Sequence, residues 1–365
     1  MPPKTTVWKL DRHSAAKHYL LQRYLQAWLP IMGSWKHRLV LIDGFAGPGV
    51  YEDGQPGSPI IMLKAYLDHT ARERIKSEVV YAFIEQDKRR VASLKAEIAK
   101  LGELPANVKV QVIADSYEKA FSGVLDDIEQ RGAKLAPTFA FLDPFGYSDA
   151  PMTLTGRFLQ FSRCEVLIYV PIRTVNRWLR REGQENAMTL LFGTKEWAKA
   201  VAIENGQERI RFLHDLFYEQ LKRDCGLAYV RSFEIVTAAP NSGYHLFYGT
   251  NHETGLLKMK ELMWDIDPVQ GRRFKDSTRA QEITLFEPEP DLDPLRDALR
   301  AHFGTEPFTI DDAERFALID TPYIPRHLKK PIFKPLETEK KLKIVKAKDG
   351  RRRGTYPSGT VLRFL

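Results

Sequence analysis

The residues of this chain best suited to chemistry stand where apolar runs end. Arg38-Leu-Val-Leu-Ile-Asp43 is a continuous apolar run that closes on an acid. It opens into a glycine-rich loop of Gly44, Phe45, Ala46, Gly47, Pro48 and Gly49. Glycine lets a backbone turn sharply and approach a ligand closely. The spacing is not the GxGxxG of a dinucleotide site, which gathers phosphate. A neutral backbone cradle of this kind suits the carboxypropyl group of S-adenosylmethionine (SAM). Glu85 follows Ala82-Phe83-Ile84, where a carboxylate can accept hydrogen bonds from ribose hydroxyls. Asp115, with Ser116 beside it, follows Val112-Ile113-Ala114, where it can accept from an adenine amino group. A fourth run ends at Asp143, Pro144, Phe145, Gly146 and Tyr147. Lys17 and His18 form an upstream cationic pair that could face a ligand carboxylate or a solvated helix face.

These acids are useful together only if one framework brings the ends of the runs to one edge. The runs 38–43, 78–84, 108–114, 137–142 and 165–172 read as buried strands, with helical stretches at 60–69, 87–101 and 117–131 between them. Alternation of this kind implies right-handed crossovers and a mostly parallel sheet. Ligands bind at the carboxyl ends of such strands. Upstream, 15–32 has helical periodicity, with Tyr19, Leu20, Tyr24, Trp28 and Leu29 at three- and four-residue steps. Residues 229–237 and 244–250 read as a hairpin joined through 238–243, and 176–224 as a helical insertion ahead of it. Five parallel strands closed by a hairpin is, by analogy, a Rossmann-like class I methyltransferase sheet. An acidic, proline-rich linker at 287–294 divides domain 1–286 from domain 295–365. The second domain reads as helices at 295–303, 309–318 and 324–336, then strands at 341–347 and 359–364. That is a small winged helix.

Composition limits the function classes. Hydrophobic residues make up 43% and charged residues 28%, enough to bury a core. No apolar run is long enough to span a membrane, and residues 1–9 lack a signal peptide's apolar stretch, so a cytoplasmic protein is expected. Two distant cysteines, Cys164 and Cys225, exclude a disulfide framework and a thiolate zinc site. The nine histidines show no metal-ligand spacing, and no metal is expected. The net charge of +8 is unevenly spread. Residues 323–365 hold thirteen Lys and Arg against three acids, which leaves a net −2 for 1–322. A polyanion is therefore expected to dock at Arg326, Lys329, Lys330, Lys334, Arg351, Arg352 and Arg353.

Asp143-Pro144-Phe145-Gly146 is similar to the Asp-Pro-Pro-aromatic element of nucleic-acid amino methyltransferases. By that likeness its carbonyl and carboxylate bind the target amine and aim its lone pair at a methyl donor, while an aromatic stacks on the flipped base. Lys17-His18, Tyr24-Leu25, the segment Ile42 to Tyr51, Gly57-Ser58-Pro59, Asp143 to Gly146, and Thr250-Asn-His252 through Lys258-Met-Lys260 resemble the three-Cys-motif partner (TcmP) family. The resemblance covers nearly the whole chain. It implies a class I methyltransferase with a winged helix and, as a partner, a three-Cys-motif protein related to radical-SAM enzymes. A more distant resemblance is to ribosomal-RNA adenine-N6 methyltransferases. It implies that Lys17, His18, Asp43, Gly47, Ser58, Glu85 and Asp115 line the SAM pocket and that Asp143 is catalytic. Phe145-Gly146 departs from that pattern and resembles the element of tRNA guanine-N2 methyltransferases. Adenine N6 and guanine N2 thus stay open as targets, with RNA expected ahead of DNA. The alternative is a SAM-binding accessory protein without nucleic-acid methylation of its own.

Overall fold

The computed structural model describes residues 5–10, 12–236, 243–275 and 289–365. The chain divides into two compact units, Met1–Gly255 with Phe274–Ala280, and Leu256–Arg273 with Gln281–Leu365.

In the first unit, helix α1 (Arg12–Met32) precedes strand β1 (Arg38–Asp43). Alternation follows: α2 (Ser58–Leu67), β2 (Glu78–Ile84), α3 (Lys88–Ala99), β3 (Val108–Ile113), α4 (Tyr117–Gln130), β4 (Thr138–Leu142), α5 (Met152–Leu159) and β5 (Cys164–Val170). Helices α6 (Ile172–Trp178), α7 (Glu185–Phe192) and α8 (Gly206–Arg223) come next, with a 3-10 stretch at Glu196–Ala202. Strands β6 (Tyr229–Val236) and β7 (Gly243–Thr250) then pair antiparallel; next in the chain come helix α9 (Glu253–Ile266), which belongs to the second unit from Leu256 onward, and the short strand β8 (Arg273–Lys275). The sheet order is β3-β2-β1-β4-β5-β7-β6-β8. Strands β1 to β5 are all mutually parallel, and β7 runs antiparallel to β5. This is the expected Rossmann-like class I methyltransferase sheet. Strands β4 and β5 are buried at every position, which explains their largely apolar sequences after Thr138 and Glu165.

Local chemistry sets the helix starts. Asp87 caps α3 by accepting from the Arg89 and Arg90 amides. Ser116 caps α4 through the Lys119 amide, and Asn205 caps α8. The periodicity of 15–32 holds except at Tyr19, which is 39% exposed. Leu20, Leu21, Tyr24, Leu25, Trp28 and Leu29 take the inward face instead. Helices α5 and α9 were not foreseen. The expected hairpin loop lies largely outside the described residues.

Helix α1 is fixed at the strands' amino-terminal edge by a buried network. Glu165 of β5 accepts from the hydroxyls of Tyr24 (2.5 Å), Tyr248 (3.2 Å) and Thr250 (2.9 Å). A side chain at Gly255 would meet the Tyr248 hydroxyl at 2.5 Å. Burial raises the Glu165 pKa, and the three donors oppose that rise. Asn251 accepts from the Ala228 amide at 2.7 Å. Tyr24, Thr250 and Asn251, which carried part of the family resemblance, therefore act in the framework.

The second unit holds α10 (Asp293–Phe303), β9 (Phe308–Thr309), α11 (Ile310–Ile319), α12 (Lys334–Thr338), β10 (Leu342–Lys346) and β11 (Val361–Phe364). Thr309 and Asp312 close a capping box on α11. The expected single helix at 324–336 is broken into a 3-10 turn at Pro325–His327, a π turn at Lys329–Phe333 and α12. Pro331 and Pro335 lack the amides a continuous α-helix needs. The Phe333 amide reaches back to Leu328 O at 2.9 Å instead. The expected two-stranded wing gains a third strand, in the order β10-β11-β9. The linker's first two residues, 287 and 288, lie outside the described residues, and its last two, Asp293 and Pro294, already belong to α10. Lys260 is buried, and its ammonium donates to the carbonyls of Ala317, Leu318 and Thr321. It thereby satisfies the carboxyl end of α11. Among the described residues, no helix is long and apolar enough to cross a membrane.

Glu165→Ala would remove the shared acceptor of three buried hydroxyls. It is expected to destabilise the first unit by about 2–4 kcal/mol, and Tyr24→Phe by about 1 kcal/mol. Urea midpoints followed by far-UV circular dichroism measure both. A Glu165→Ala midpoint equal to wild type would refute the network's structural role.

Candidate active site

Because β1, β2, β3 and β4 are parallel and in register, their carboxyl ends share one edge. Asp43 is the last residue of β1, Glu85 follows β2, Asp115 lies just past β3, and Asp143 follows β4. A cavity of about 390 Å³ opens at this edge. It is lined by Lys17 and His18, by Phe45 to Tyr51, by Gly57 and Ser58, and by Asp143, Pro144, Phe145 and Tyr147. Trp8, Ser14, Tyr169, Pro171, Thr174 and Tyr244 complete the lining.

The glycines have distinct roles. Gly47 and Gly49 adopt φ of 63° and 80°, in the left-handed region where a side chain is strained. A Cβ at Gly44 would lie 2.7 Å from Leu142 and 2.8 Å from Tyr117, so Gly44 permits packing beneath the cavity rather than lining it. A Cβ at Gly146 would collide with the Asp149 carboxylate, which accepts the Gly146 amide at 2.9 Å.

The acids differ in environment. Asp43 is fully buried; its Oδ1 accepts the Phe45 amide at 3.1 Å, and its Oδ2 has no hydrogen-bond partner among the described residues. Ser58 stands near enough to favour the charged form but closes no bond on Oδ2. Burial, opposed by Ser58 and the Phe45 amide, pushes the Asp43 carboxyl up to about 7. Glu85 is buried behind the glycine loop, with Oε2 accepting the Gly47 amide (3.0 Å) and Oε1 the Asp87 amide (2.8 Å). Asp115 lies apart from the cavity lining, paired with Lys119 at 3.0 Å and accepting the Ser116 amide. Ser116 is engaged as the α4 cap.

Lys17 and Asp143 meet, although 126 positions separate them. The Lys17 ammonium lies 2.6 Å from Asp143 Oδ2 and 4.0 Å from the centroid of the Tyr169 ring. Its side chain is 6% exposed and that of Asp143 27%. The pair thus stands at the cavity wall with the carboxylate reachable. His18 faces Tyr51, and burial with the Lys17 charge lowers its pKa to about 4, so it is neutral near pH 7. Phe145 is 37% exposed. The Arg90 guanidinium lies 5.1 Å over the Trp8 ring and 5.3 Å over the Phe145 ring. Trp8, Tyr169 and Tyr244, which line the cavity, and Arg90, which stacks on the Trp8 and Phe145 rings, are residues that sequence reasoning missed. Tyr244 had a findable signal, because β7 runs antiparallel and its first residues reach the same edge. Trp8 had none.

The basic residues of the second unit divide into two groups. Arg351 bonds Glu337 at 2.7 Å, with both side chains 11% exposed, and also donates to Thr355 O. Lys329 pairs with Glu314 at 2.7 Å, and Arg326 lies 3.7 Å from Asp265. Lys330, Lys334, Arg352 and Arg353 are exposed. Among the described residues, no group of three or more His, Cys, Asp or Glu could hold a metal ion.

Residues 270–349 match the family model described as a GMT-like winged helix-turn-helix (wHTH) domain. The second unit therefore contains a winged helix. No curated protein matches the chain. Among solved structures, the chain is similar to Trm1 from Pyrococcus horikoshii in complex with S-adenosyl-L-methionine (12% identity, 72% of this chain and 61% of that one, TM-score 0.36). It is also similar to a SAM-dependent methyltransferase from Agrobacterium tumefaciens (9%, 67% and 63%, 0.33). A third is a dimethyladenosine transferase from Plasmodium falciparum (11%, 69% and 65%, 0.29). The chain spans less than two thirds of the length of each. At these scores the likenesses bear on neither substrate nor chemistry.

A carboxyl at about 7 when folded and near 3.8 ordinarily keeps its proton, between those values, only in the folded state. Stability contributed by Asp43 therefore falls as pH rises from about 4 to about 7. Relative to Asp43→Asn, the wild type is expected to lose up to about 1.4 kcal/mol per pH unit across that window. Urea titrations at successive pH values measure this, and parallel stability curves for the two proteins would overturn it.

Proposed function

We propose that the first unit is a SAM-dependent methyltransferase that acts on an exocyclic base amine, adenine N6 or guanine N2, of nucleic acid, RNA rather than DNA. The observation that carries this reading is the Asp143 carboxylate, partly exposed against buried Lys17, in a cavity shared with the glycine loop and the Phe145 ring.

The residues fit the cofactor. Asp43 Oδ2 is an acceptor without a partner among the described residues beneath the loop, suited to a donor such as an ammonium. Gly47 and Gly49 leave room for close backbone approach. Ser58 begins α2, whose positive end suits a carboxylate, and Lys17 adds a cation nearby. Glu85 fixes the loop through Gly47 and is assigned to the ribose hydroxyls. Asp115 and Ser116 are assigned to the adenine amine. When bound, SAM supplies an electrophilic methyl group.

The chain's own part is to orient the amine. Asp143 and the Pro144 carbonyl region accept its N–H groups, which turns the nitrogen lone pair towards the methyl donor. A strong base is unnecessary, because the nitrogen becomes acidic only as its bond to carbon forms. Lys17 holds the Asp143 carboxylate in one orientation, so that it acts as an acceptor without rearranging. Phe145, at the rim, offers its ring to a base taken out of its stack. The exposed Lys330, Lys334, Arg352 and Arg353 are assigned to phosphates. The TcmP resemblance adds a three-Cys-motif protein as a proposed partner.

Asp143→Ala is expected to bind SAM as wild type does, by calorimetry, and to lose methyl transfer to RNA from a strain lacking the gene by at least about a hundredfold. Mass spectrometry of the nucleosides reads the transfer. Unchanged transfer would end the assignment. Arg352→Ala with Arg353→Ala should lower the slope of log affinity against log salt by about two. A slope equal to wild type would remove those residues from the phosphate surface.

A further inference from the structure

The helical insertion has a feature that folding does not require. In α6, Ile172 and Val175 point into the core, as does Leu179 just after it. Trp178 points out and is 38% exposed. The Arg181 guanidinium stacks on its ring at 4.5 Å, and Arg181 is itself exposed. Two neighbouring arginines are structural instead. Arg180 donates to Val201 O, and Arg173 pairs with Glu234 at 2.9 Å. Trp178 and Arg181 form an aromatic–guanidinium pair left in solvent.

This pair joins the mouth of the active-site cavity by two links. Thr174 lines the cavity, and exposed Arg177, one turn on, donates to the Thr174 hydroxyl at 3.2 Å. Tyr147 also lines the cavity, donates a hydrogen bond to Gln184, and feels the charge of Arg181. The surface from Phe145 and Tyr147 through Thr174 to Arg177, Trp178 and Arg181 is therefore continuous within the first unit.

Resting on the base-amine reading above, we propose that Arg177, Trp178 and Arg181 seat the single strand that flanks the target base. A flanking base stacks on Trp178, and Arg177 and Arg181 receive the adjoining phosphates. Charge and shape together favour a single strand. Exposed Glu182 and Glu185 follow directly, so the patch lacks the broad positive field that draws a duplex. An exposed ring beside guanidinium groups matches unstacked bases, which every single strand offers and a duplex hides. A strand seated here would enter the cavity past Phe145 with its target base already unpaired.

The test uses the full chain and a fluorescein-labelled single-stranded oligoribonucleotide of mixed adenine and guanine, with its duplex as the comparison. Fluorescence anisotropy reads binding, and calorimetry with SAM reports an intact cavity. Trp178→Ala is expected to weaken single-strand binding by about tenfold or more, and Arg181→Ala by severalfold. Trp178→Phe should stay near wild type, and SAM affinity and duplex binding should not change. Single-strand binding by Trp178→Ala and Arg181→Ala equal to wild type would overturn the seat and leave the base-amine reading standing. So would an equal loss of duplex binding, or a loss in Trp178→Phe as deep as in Trp178→Ala. A wild-type protein that binds neither oligonucleotide would overturn the seat and the nucleic-acid reading together.

Discussion

Helix α1 is pinned to the sheet at both edges by residues seven positions apart. Lys17 grips Asp143 at the carboxyl ends of the strands, and Tyr24 grips Glu165 at the amino ends. Seven residues are nearly two turns, so both side chains leave one face of the helix about 10 Å apart. The geometry of the site depends on this double attachment. Tyr24, with the buried Leu20, Leu21, Leu25, Trp28 and Leu29, sets the height of Lys17 along the sheet. Without Lys17, a carboxylate in a partly dehydrated cavity lacks a compensating charge. Both acids are buried or partly buried, and both are held by groups from an element more than a hundred positions away.

The same edge gathers more negative charge than Lys17 alone can balance. The charges of Asp143 and Glu85 add to the burial that raises Asp43. The chain accommodates this with fixed dipoles. The Gly47 and Asp87 amides face Glu85, the Phe45 amide faces Asp43, and the first turn of α2 begins at Ser58. Such groups need no reorganisation when a ligand arrives. The glycines matter for the same reason: the Gly47 amide can turn to Glu85 because that residue adopts a positive φ.

Much of this was legible because the strands of a parallel sheet write their ends into the sequence. Apolar runs closing on Asp43, on Glu85 and on Asp143 gave the sheet, its edge and two cavity walls. The reading was weaker where contacts are non-local. Asp115 has the right sequence position, yet a neighbouring lysine and its own helix cap engage it outside the cavity lining. Trp8 and Arg90 lie on a loop and a charged helix, and only folding brings both to Phe145. The helix expected at 324–336 failed on two prolines, whose missing amides outweigh the apolar period. Strand β9 is two residues long, too short for any pattern.

Charge composition needs the same structural correction. The last 43 residues hold the whole positive excess, yet Arg351 with Glu337 and Lys329 with Glu314 are ion pairs inside the winged helix. A count of basic residues therefore overstates the field this segment offers to a polyanion. The first 322 residues carry a net −2, and they nonetheless present Arg177 and Arg181 beside the cavity, with Trp178 between them. Net charge governs encounter at a distance, within a Debye length of about 8–10 Å. On the proposed reading, the choice of base at Asp143 would be made at contact, by rings and guanidinium groups whose number is too small to register in composition.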